Sequence, residues 1–160
     1  MRSEIKRLSQ HVSLLEAPEY TFPYCNSFLI EDDICCLVDT STTNDVFEFL
    51  KTKHIDLIVS THGHVDHNLH NQHFLEARIM AHPSDHPYLI SRESFLKTLG
   101  AQYFGDITRF LKIDRLGYNF REPHESMVDG QVINLGHTRI EVLHLPGHTP
   151  GHSGLMFPDL

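Results

Sequence analysis

The segment Thr61-His62-Gly63-His64-Val65-Asp66-His67 constrains this chain most, because it places four potential metal ligands within six residues. It follows the apolar, β-branched run 55–60, which predicts a buried strand. Alternate residues of an extended segment point to the same side, so His62, His64 and Asp66 can converge on one point. His67 lies where the chain bends. Three imidazoles and a carboxylate suit zinc, and also iron or manganese.

A second histidine segment follows a second predicted strand. Residues 138–145 largely alternate apolar and polar side chains, as strands with one buried face do. The sequence then continues Pro-Gly-His-Thr-Pro-Gly-His-Ser-Gly and contains His148 and His152. Its glycines and prolines allow the tight backbone with which a loop brings a side chain close to another site.

Together, the two segments resemble the motifs of the metallo-β-lactamase superfamily, and most nearly those of its glyoxalase II-like branch. His-x-His-x-Asp-His follows one predicted strand and Pro-Gly-His-Thr-x-Gly-His follows the other, in the family's order. Residues 26–30 and 36–40 look like the family's opening hairpin, and Asp129-Gly130 looks like the turn before its later strands. The resemblance implies an α/β chain that forms the N-terminal part of the four-layered αββα fold.

The resemblance also implies which residues bind metal. His62, His64 and His148 would bind a first ion, and Asp66 and His67 would begin a second site. The expected cofactor is one or two zinc ions, with iron or manganese as the other candidates.

Two further residues are expected to support these ligands. Asp39, at a predicted strand end, would be an outer carboxylate that orients a metal-bound histidine, and the alternative is a residue that only initiates a turn. His152 would be a structural hydrogen-bonding residue of its loop rather than a ligand.

The implied activity is that of a metal-dependent hydrolase acting on a small molecule. A metal-bound hydroxide, available because the metal lowers the pKa of water, would attack a carbonyl group. Asp66 would both bind the metal and orient the hydroxide, which makes it the expected catalytic residue. By resemblance to the glyoxalase II-like branch, the substrate would be a thioester or a small ester.

Two alternative functions stay open at this point. A mononuclear iron dioxygenase that acts on thiols or persulfides is known on the same fold. It would use His62 and His148 with the family's aspartate that this sequence lacks, and it would leave Asp66 and His67 without metal. A non-catalytic metal-binding fragment is the other alternative. The sequence stops at Leu160, before the family's bridging aspartate and last histidine. We therefore expect at most about one tightly bound ion and little or no thioester hydrolysis by these 160 residues alone. An unpaired sheet edge and exposed apolar faces would favour a homo-oligomer, an aggregate or a fold that depends on its continuation.

The sequence predicts a single domain, 1–160, whose C-terminal part is expected to be absent. Helices are predicted for 44–53 and from Asp66 to about Glu76. Between the two histidine segments, residues 84–125 carry apolar side chains at helical spacing and predict a helical insert. That stripe would pack in the core, cover the substrate or form a dimer contact.

Composition argues against several classes of partner. A net charge of −8 disfavours a nucleic acid. The apolar runs are shorter than the ~18 residues that span a bilayer, and the N-terminus lacks the apolar core of a signal peptide, so no membrane partner is expected. Cys25, Cys35 and Cys36 are expected to be buried free thiols, which fits a reducing cytoplasm.

Overall fold

The larger of two β-sheets has seven strands that lie side by side in chain order. The structure is a computed structural model that describes residues 4–18, 22–105, 113–158 and 160. Pairing is antiparallel from the first strand to the fourth and parallel from the fourth to the seventh. The strands are β1 (Glu4–Arg7), β2 (Val12–Glu16), β3 (Ser27–Ile30), β4 (Cys36–Val38), β5 (Leu57–Val59), β6 (Arg78–Ala81) and β7 (Glu125–Ser126).

The smaller sheet is an antiparallel set of three strands with β9 in the middle. The strands are β8 (Val132–Asn134), β9 (Arg139–His144) and β10 (Ser153–Met156). Apolar side chains from both sheets form one buried cluster, so the two sheets pack face to face. Its buried members are Val12, Ile30, Cys36, Val38, Leu57, Val59, Met80, Met127, Ile133, Leu135, Ile140 and Val142.

The other face of the larger sheet is covered by helix α1 (Asn44–Leu50). Strand β5 shows why both faces are buried: Leu57 and Val59 belong to the cluster between the sheets, whereas Ile58 packs with Val46 and Leu50 of the helix. Alternate side chains of a strand point to opposite faces, so a strand covered on both sides is apolar throughout. The resulting layers of helix, sheet and sheet confirm the α/β expectation.

A helical region separates β6 from β7. It contains α3 (His86–Ile90), α4 (Arg92–Thr98), α5 (Ala101–Phe104) and α6 (Ile113–Leu116), and residues 106–112 lie outside the described part of the chain. Part of the apolar stripe noted in the sequence forms a third buried cluster, with Tyr88, Leu89, Phe95 and Ile113 among its members. This cluster packs beside α2 (Val65–Asn68), the helix that follows the first histidine segment.

The helix predicted from Asp66 to about Glu76 begins within one residue of the expected start but ends far earlier than expected. Helix α2 ends at Asn68, and only a short 3-10 turn, Asn71–His73, follows it. Buried polar side chains explain the break. Asn71 donates to the Asn68 side chain at 3.0 Å and Thr40 donates to Asn71 at 2.8 Å. Such side-chain bonds compete with the regular helical pattern.

A group of polar residues, which we call the Asp32 clamp, joins the turns of the two sheets. The Asp32 carboxylate, in the β3–β4 turn, accepts from the backbone N–H of Thr138 at 2.7 Å and of His137 at 3.1 Å. The His137 ring also lies 3.1 Å from Asp32 through Nδ1, and it stacks on His11 with the ring planes 4° apart. These bonds fix the β8–β9 turn against the larger sheet.

Within the described ranges, every helix is too short or too polar to cross a lipid bilayer.

Candidate metal centre

The histidine segments meet because parallel strands present their carboxyl ends at one edge of the larger sheet. Asp39 follows β4, the segment with His62 and His64 follows β5, and Asp85 follows β6. The β9–β10 loop of the smaller sheet brings His148 to the same edge. Its position is fixed by a backbone hydrogen bond from Ser153 to the carbonyl of Thr61 at 2.9 Å.

Three imidazoles, which we call the triad, converge at this edge. His62, His64 and His148 each offer one ring nitrogen, and these nitrogens lie within 4.8 Å of one another. Nδ1 of His64 lies 3.0 Å from Nε2 of His148. The triad is graded in burial, from buried His62 through half-buried His64 to exposed His148, so one side of it opens to solvent.

The buried ring of His62 has an unused nitrogen. Among the residues that the structure describes, its buried Nε2 has no hydrogen-bond partner, whereas Nδ1 lies 3.2 Å from the Thr61 hydroxyl. A buried polar atom without a partner is costly, and a bound metal would remove that cost. Burial, together with the neighbouring imidazoles, lowers the pKa of His62 to about 2. The ring is therefore neutral, which is the form that binds metal. The three residues fit a zinc ion in ligand type and number.

His67 is held by a buried carboxylate. Nδ1 of His67 lies 2.7 Å from Oδ2 of Asp39, and Asp39 also accepts from the backbone N–H of Thr61 at 2.8 Å and from its hydroxyl at 2.7 Å. Burial lowers the pKa of His67, but the hydrogen bonds and charges of Asp39 and Cys25 outweigh it and raise the pKa to about 10. Asp39 thus orients an imidazole, the geometry in which a carboxylate fixes a metal-binding ring.

The remaining predicted residues lie near the triad without joining it. Asp66 is half-buried on α2 and acts on His64 through its charge, but its carboxylate lies outside each three-residue ligand group of the described chain. The His152 ring centroid lies 5.3 Å from that of His62, and Nδ1 of His152 lies 3.2 Å from the carbonyl of Leu145. The structure therefore brings His62, His64 and His148 together and leaves Asp66 and His152 around them.

Asp85 is a site residue that the sequence reasoning missed. Its fully buried carboxylate accepts from the backbone N–H of Gly63 at 2.8 Å and of Gly151 at 2.7 Å, and from the Thr149 hydroxyl at 2.6 Å. A single side chain therefore joins the loop that carries His62 and His64 to the loop that carries His148. The sequence signal that could have identified Asp85 is its position shortly after β6, the third parallel strand that ends at this edge.

Asn68 and Gly63 were also missed, and both shape the first histidine loop. The Asn68 amide donates to the carbonyls of His62 at 2.8 Å and His64 at 2.7 Å. At Gly63 an added Cβ would lie 2.4 Å from Cβ of Tyr88, so this position has no room for a side chain. The loop that presents the first two imidazoles is therefore fixed from both sides.

The sequence model of the metallo-beta-lactamase superfamily matches residues 20–159. An uncharacterized protein of Aquifex aeolicus (strain VF5) is 28% identical over 117 residues, which are 66% of this chain and 45% of that protein. Among solved structures, the subclass B3 metallo-beta-lactamase BJP-1 of Bradyrhizobium japonicum matches with a TM-score of 0.68 and 22% identity, over 96% of this chain and 56% of that one.

A metallo-beta-lactamase family protein of Thermus thermophilus matches with a TM-score of 0.69 and 22% identity, over 93% of this chain and 56% of that one. At such identities the structural likeness shows the fold, which confirms the expected fold class. This chain spans about half the length of the relatives that it matches. The match of the superfamily's sequence model over most of the chain goes further: the chain belongs to the metallo-beta-lactamase superfamily.

Proposed function

We propose that this chain is the metal-binding part of a metal-dependent hydrolase that cleaves a thioester or a small ester. One observation carries the proposal: Nε2 of His62 is buried without a hydrogen-bond partner in the described part of the chain, at the point where His64 and His148 bring two more imidazoles. Protein interiors rarely leave such an atom unpaired, so the group is best explained as a set of metal ligands. Membership of the metallo-beta-lactamase superfamily supports a hydrolase.

In this proposal the triad holds one zinc ion. A bound zinc ion would polarise a substrate carbonyl and lower the pKa of water toward neutrality. The protein supplies three neutral imidazoles at fixed positions, because Asp85 joins the two histidine loops. The exposed edge of the triad at His148 gives a small substrate access to the centre.

We assign Asp66 the task of holding the attacking water and accepting its proton. Its carboxylate is half-buried, and its negative charge raises the pKa of neighbouring His64 against the stronger lowering effects of burial and His148. A carboxylate beside a bound metal is well placed for this general-base role. The thioester or ester class rests on the resemblance of both histidine motifs to the glyoxalase II-like branch.

Metal content tests the triad directly. The purified chain should bind zinc tightly, and His62→Ala should lose most of that zinc because the buried ligand is gone. His54→Ala is the matched control, since His54 is a surface histidine that lies beside Asp56 and Glu76. Zinc binding that is the same in His62→Ala and the unchanged chain would overturn the proposal.

Activity tests the reaction class. We expect only weak hydrolysis of a simple thioester by these 160 residues, lowered further in Asp66→Asn while zinc stays bound. The same assays distinguish the proposed hydrolase from the alternative enzyme, an iron dioxygenase. If the chain takes up one iron ion and consumes oxygen with a thiol or persulfide, and does not hydrolyse esters, it is a dioxygenase and the hydrolase proposal fails.

A further inference from the structure

The His64 ring has no hydrogen-bonding partner outside the triad among the residues that the structure describes. Its one such contact there is with His148, which is itself a member of the triad. His67, by comparison, is held by the carboxylate of Asp39. A metal-bound imidazole is usually oriented by a partner outside the set of ligands. The orientation of the His64 ring therefore depends on packing.

Tyr88 is the aromatic residue that packs against His64. The two ring centroids lie 5.7 Å apart, and the ring planes are 79° apart, which is an edge-to-face contact. Tyr88 is 8% exposed and lies on α3, in the helical region between β6 and β7. Edge-to-face contacts are directional and change an equilibrium constant by up to about tenfold. This contact therefore favours one orientation of the His64 ring.

Tyr88 and Asp85 contact the same histidine loop from one short segment. Asp85 directly precedes α3, and Tyr88 follows three positions later, so the two side chains lie on the same side of the helix start. Both contact Gly63: Asp85 accepts from its backbone N–H at 2.8 Å, and an added Cβ at Gly63 would lie 2.4 Å from Cβ of Tyr88. Asp85 thus fixes the backbone of the loop, and Tyr88 contacts the neighbouring His64 side chain.

The Tyr88 ring is itself fixed by α4. The ring centroid of Phe95 lies 6.3 Å from that of Tyr88, with the ring planes 75° apart. The Tyr88 hydroxyl lies beside the Thr98 side chain, at the end of the same helix. Tyr88 and Phe95 both belong to the third buried cluster, and Phe95 is 1% exposed. A ring packed in this way is a rigid support for the half-buried imidazole beside it.

We propose that Tyr88 is a positioning residue that fixes the His64 imidazole in the orientation required for metal binding by the triad. The proposal deepens the proposed function and rests on it, because it concerns a ligand of the same centre. Tyr88 acts through His64 and takes no part in the reaction itself. The proposal also gives the helical region between the two histidine segments a task, which is to support one of the ligands.

Cobalt(II) provides the first test, because its ligand-field absorption depends on the number and arrangement of its ligands. The 160-residue chain and its variants are titrated with cobalt and, in competition, with zinc. Tyr88→Leu removes the ring, and we expect about 3–10-fold weaker metal binding and an altered cobalt absorption. Tyr88→Phe keeps the ring and removes the hydroxyl, so its metal affinity should stay within about twofold, with the same absorption.

Tyr118→Leu is the matched control for Tyr88→Leu. Tyr118 is 7% exposed and belongs to the same buried cluster, but its ring contacts Phe120. The control should therefore lower the free energy of unfolding without changing the metal affinity or the cobalt absorption. The Tyr88 proposal is wrong, and the proposed function is unaffected, if Tyr88→Leu binds metal like the unchanged chain. It is also wrong if Tyr118→Leu weakens metal binding as much as Tyr88→Leu does.

Nuclear magnetic resonance of the metal-free chain tests the contact without depending on metal. The ring protons of His64 should show Overhauser contacts to those of Tyr88, and their chemical shifts should change in Tyr88→Leu but not in Tyr118→Leu. If these contacts are present and the chain binds no metal, the proposed function fails while the positioning of His64 stands. If Tyr88→Leu does not fold, the spectrum of the unchanged chain decides, and missing contacts there would overturn the proposal.

Discussion

The triad and the Asp32 clamp both bring histidine nitrogens within 4.8 Å of further ligand atoms, but they use their hydrogen-bonding capacity differently. In the clamp, the Asp32 carboxylate accepts from the backbone and ring of His137 and from the backbone of Thr138. In the triad, Nε2 of His62 has no hydrogen-bond partner within the ranges that the structure describes. Ring geometry differs too, since His11 and His137 stack almost in parallel whereas the rings of His62 and His148 are tilted 72° apart.

This difference separates a structural cluster from a binding site. Nearly parallel, stacked rings direct their nitrogen lone pairs along parallel planes, so the pair cannot share one tetrahedral ion. Rings that are tilted toward one another can share one such ion. Proximity of possible ligand atoms is therefore weak evidence for a metal site. A buried nitrogen that has no hydrogen-bond partner is stronger evidence.

The largest expected effect is that of replacing Asp85, the residue that joins the two loops of the triad. Asp85→Ala would leave two buried N–H groups and the Thr149 hydroxyl without their acceptor. We expect a loss of about 3–5 kcal/mol in the free energy of unfolding and metal affinity about 10–100-fold weaker. Urea denaturation and zinc titration measure the two effects.

Asp114→Ala is the control for Asp85, because Asp114 forms an exposed ion pair with Arg92 and its loss should cost under about 1 kcal/mol. Equal effects at the two positions would show that Asp85 does not join the histidine loops in solution.

Replacing Asp32 should give the next largest effect, and this effect should be limited to the free energy of unfolding. Its carboxylate is 1% exposed, and Asp32→Ala removes bonds that fix the β8–β9 turn. We expect a loss of about 2–4 kcal/mol, with zinc affinity changed less than about twofold because the clamp is a separate site. Asp33→Ala, at the exposed neighbouring residue, is the control. A large fall in zinc affinity in Asp32→Ala would show that the clamp and the triad are not separate sites.

A smaller effect is expected at His152, which lies beside the triad. His152→Ala removes the contact with the carbonyl of Leu145 and should cost about 1 kcal/mol in the free energy of unfolding. Zinc should stay bound. Zinc loss as complete as in His62→Ala would instead identify His152 as a ligand.

The smallest effect is a pH dependence in the clamp. Asp32, through its hydrogen bond and its charge, raises the pKa of His137 above its ordinary 6.5, so the protonated ring favours the folded state. This contribution is fully present below pH 6.5 and is lost as the pH rises through the raised pKa. Urea midpoints of the unchanged chain and His137→Gln, compared between about pH 6 and about pH 9, should converge at the higher pH. A difference that stays constant would contradict the pH dependence, and a difference that grows with pH would contradict its sign.

The sequence was most informative where local periodicity decides the outcome. The apolar run 55–60 predicted β5, and alternation along an extended segment explains why His62 and His64 reach the same side. His148 is different, because only the resemblance linked it to them. The structure brings it within ligand distance through the pairing of β9 with β10.

The missed residues share one property, which is contact across long sequence separations. Asp85 reaches Thr149 over 64 residues, and a lone aspartate after His82-Pro83 carries no motif that signals it. The expectation of three buried free thiols holds for Cys36, whereas Cys25 and Cys35 are half-buried. The helix predicted after Asp66 was too long because periodicity does not reveal that Asn68 and Asn71 bond to buried neighbours.

The bonds of Asp85 also set the order in which this chain can assemble its centre. They close loops of 22, 64 and 66 residues, and closing long loops costs more entropy than forming local turns. The first histidine loop can form early, with β5 and α2, whereas the third imidazole arrives only when the β9–β10 hairpin docks. We therefore expect tight metal binding by three imidazoles to come late in folding, because it requires that the two sheets have packed together.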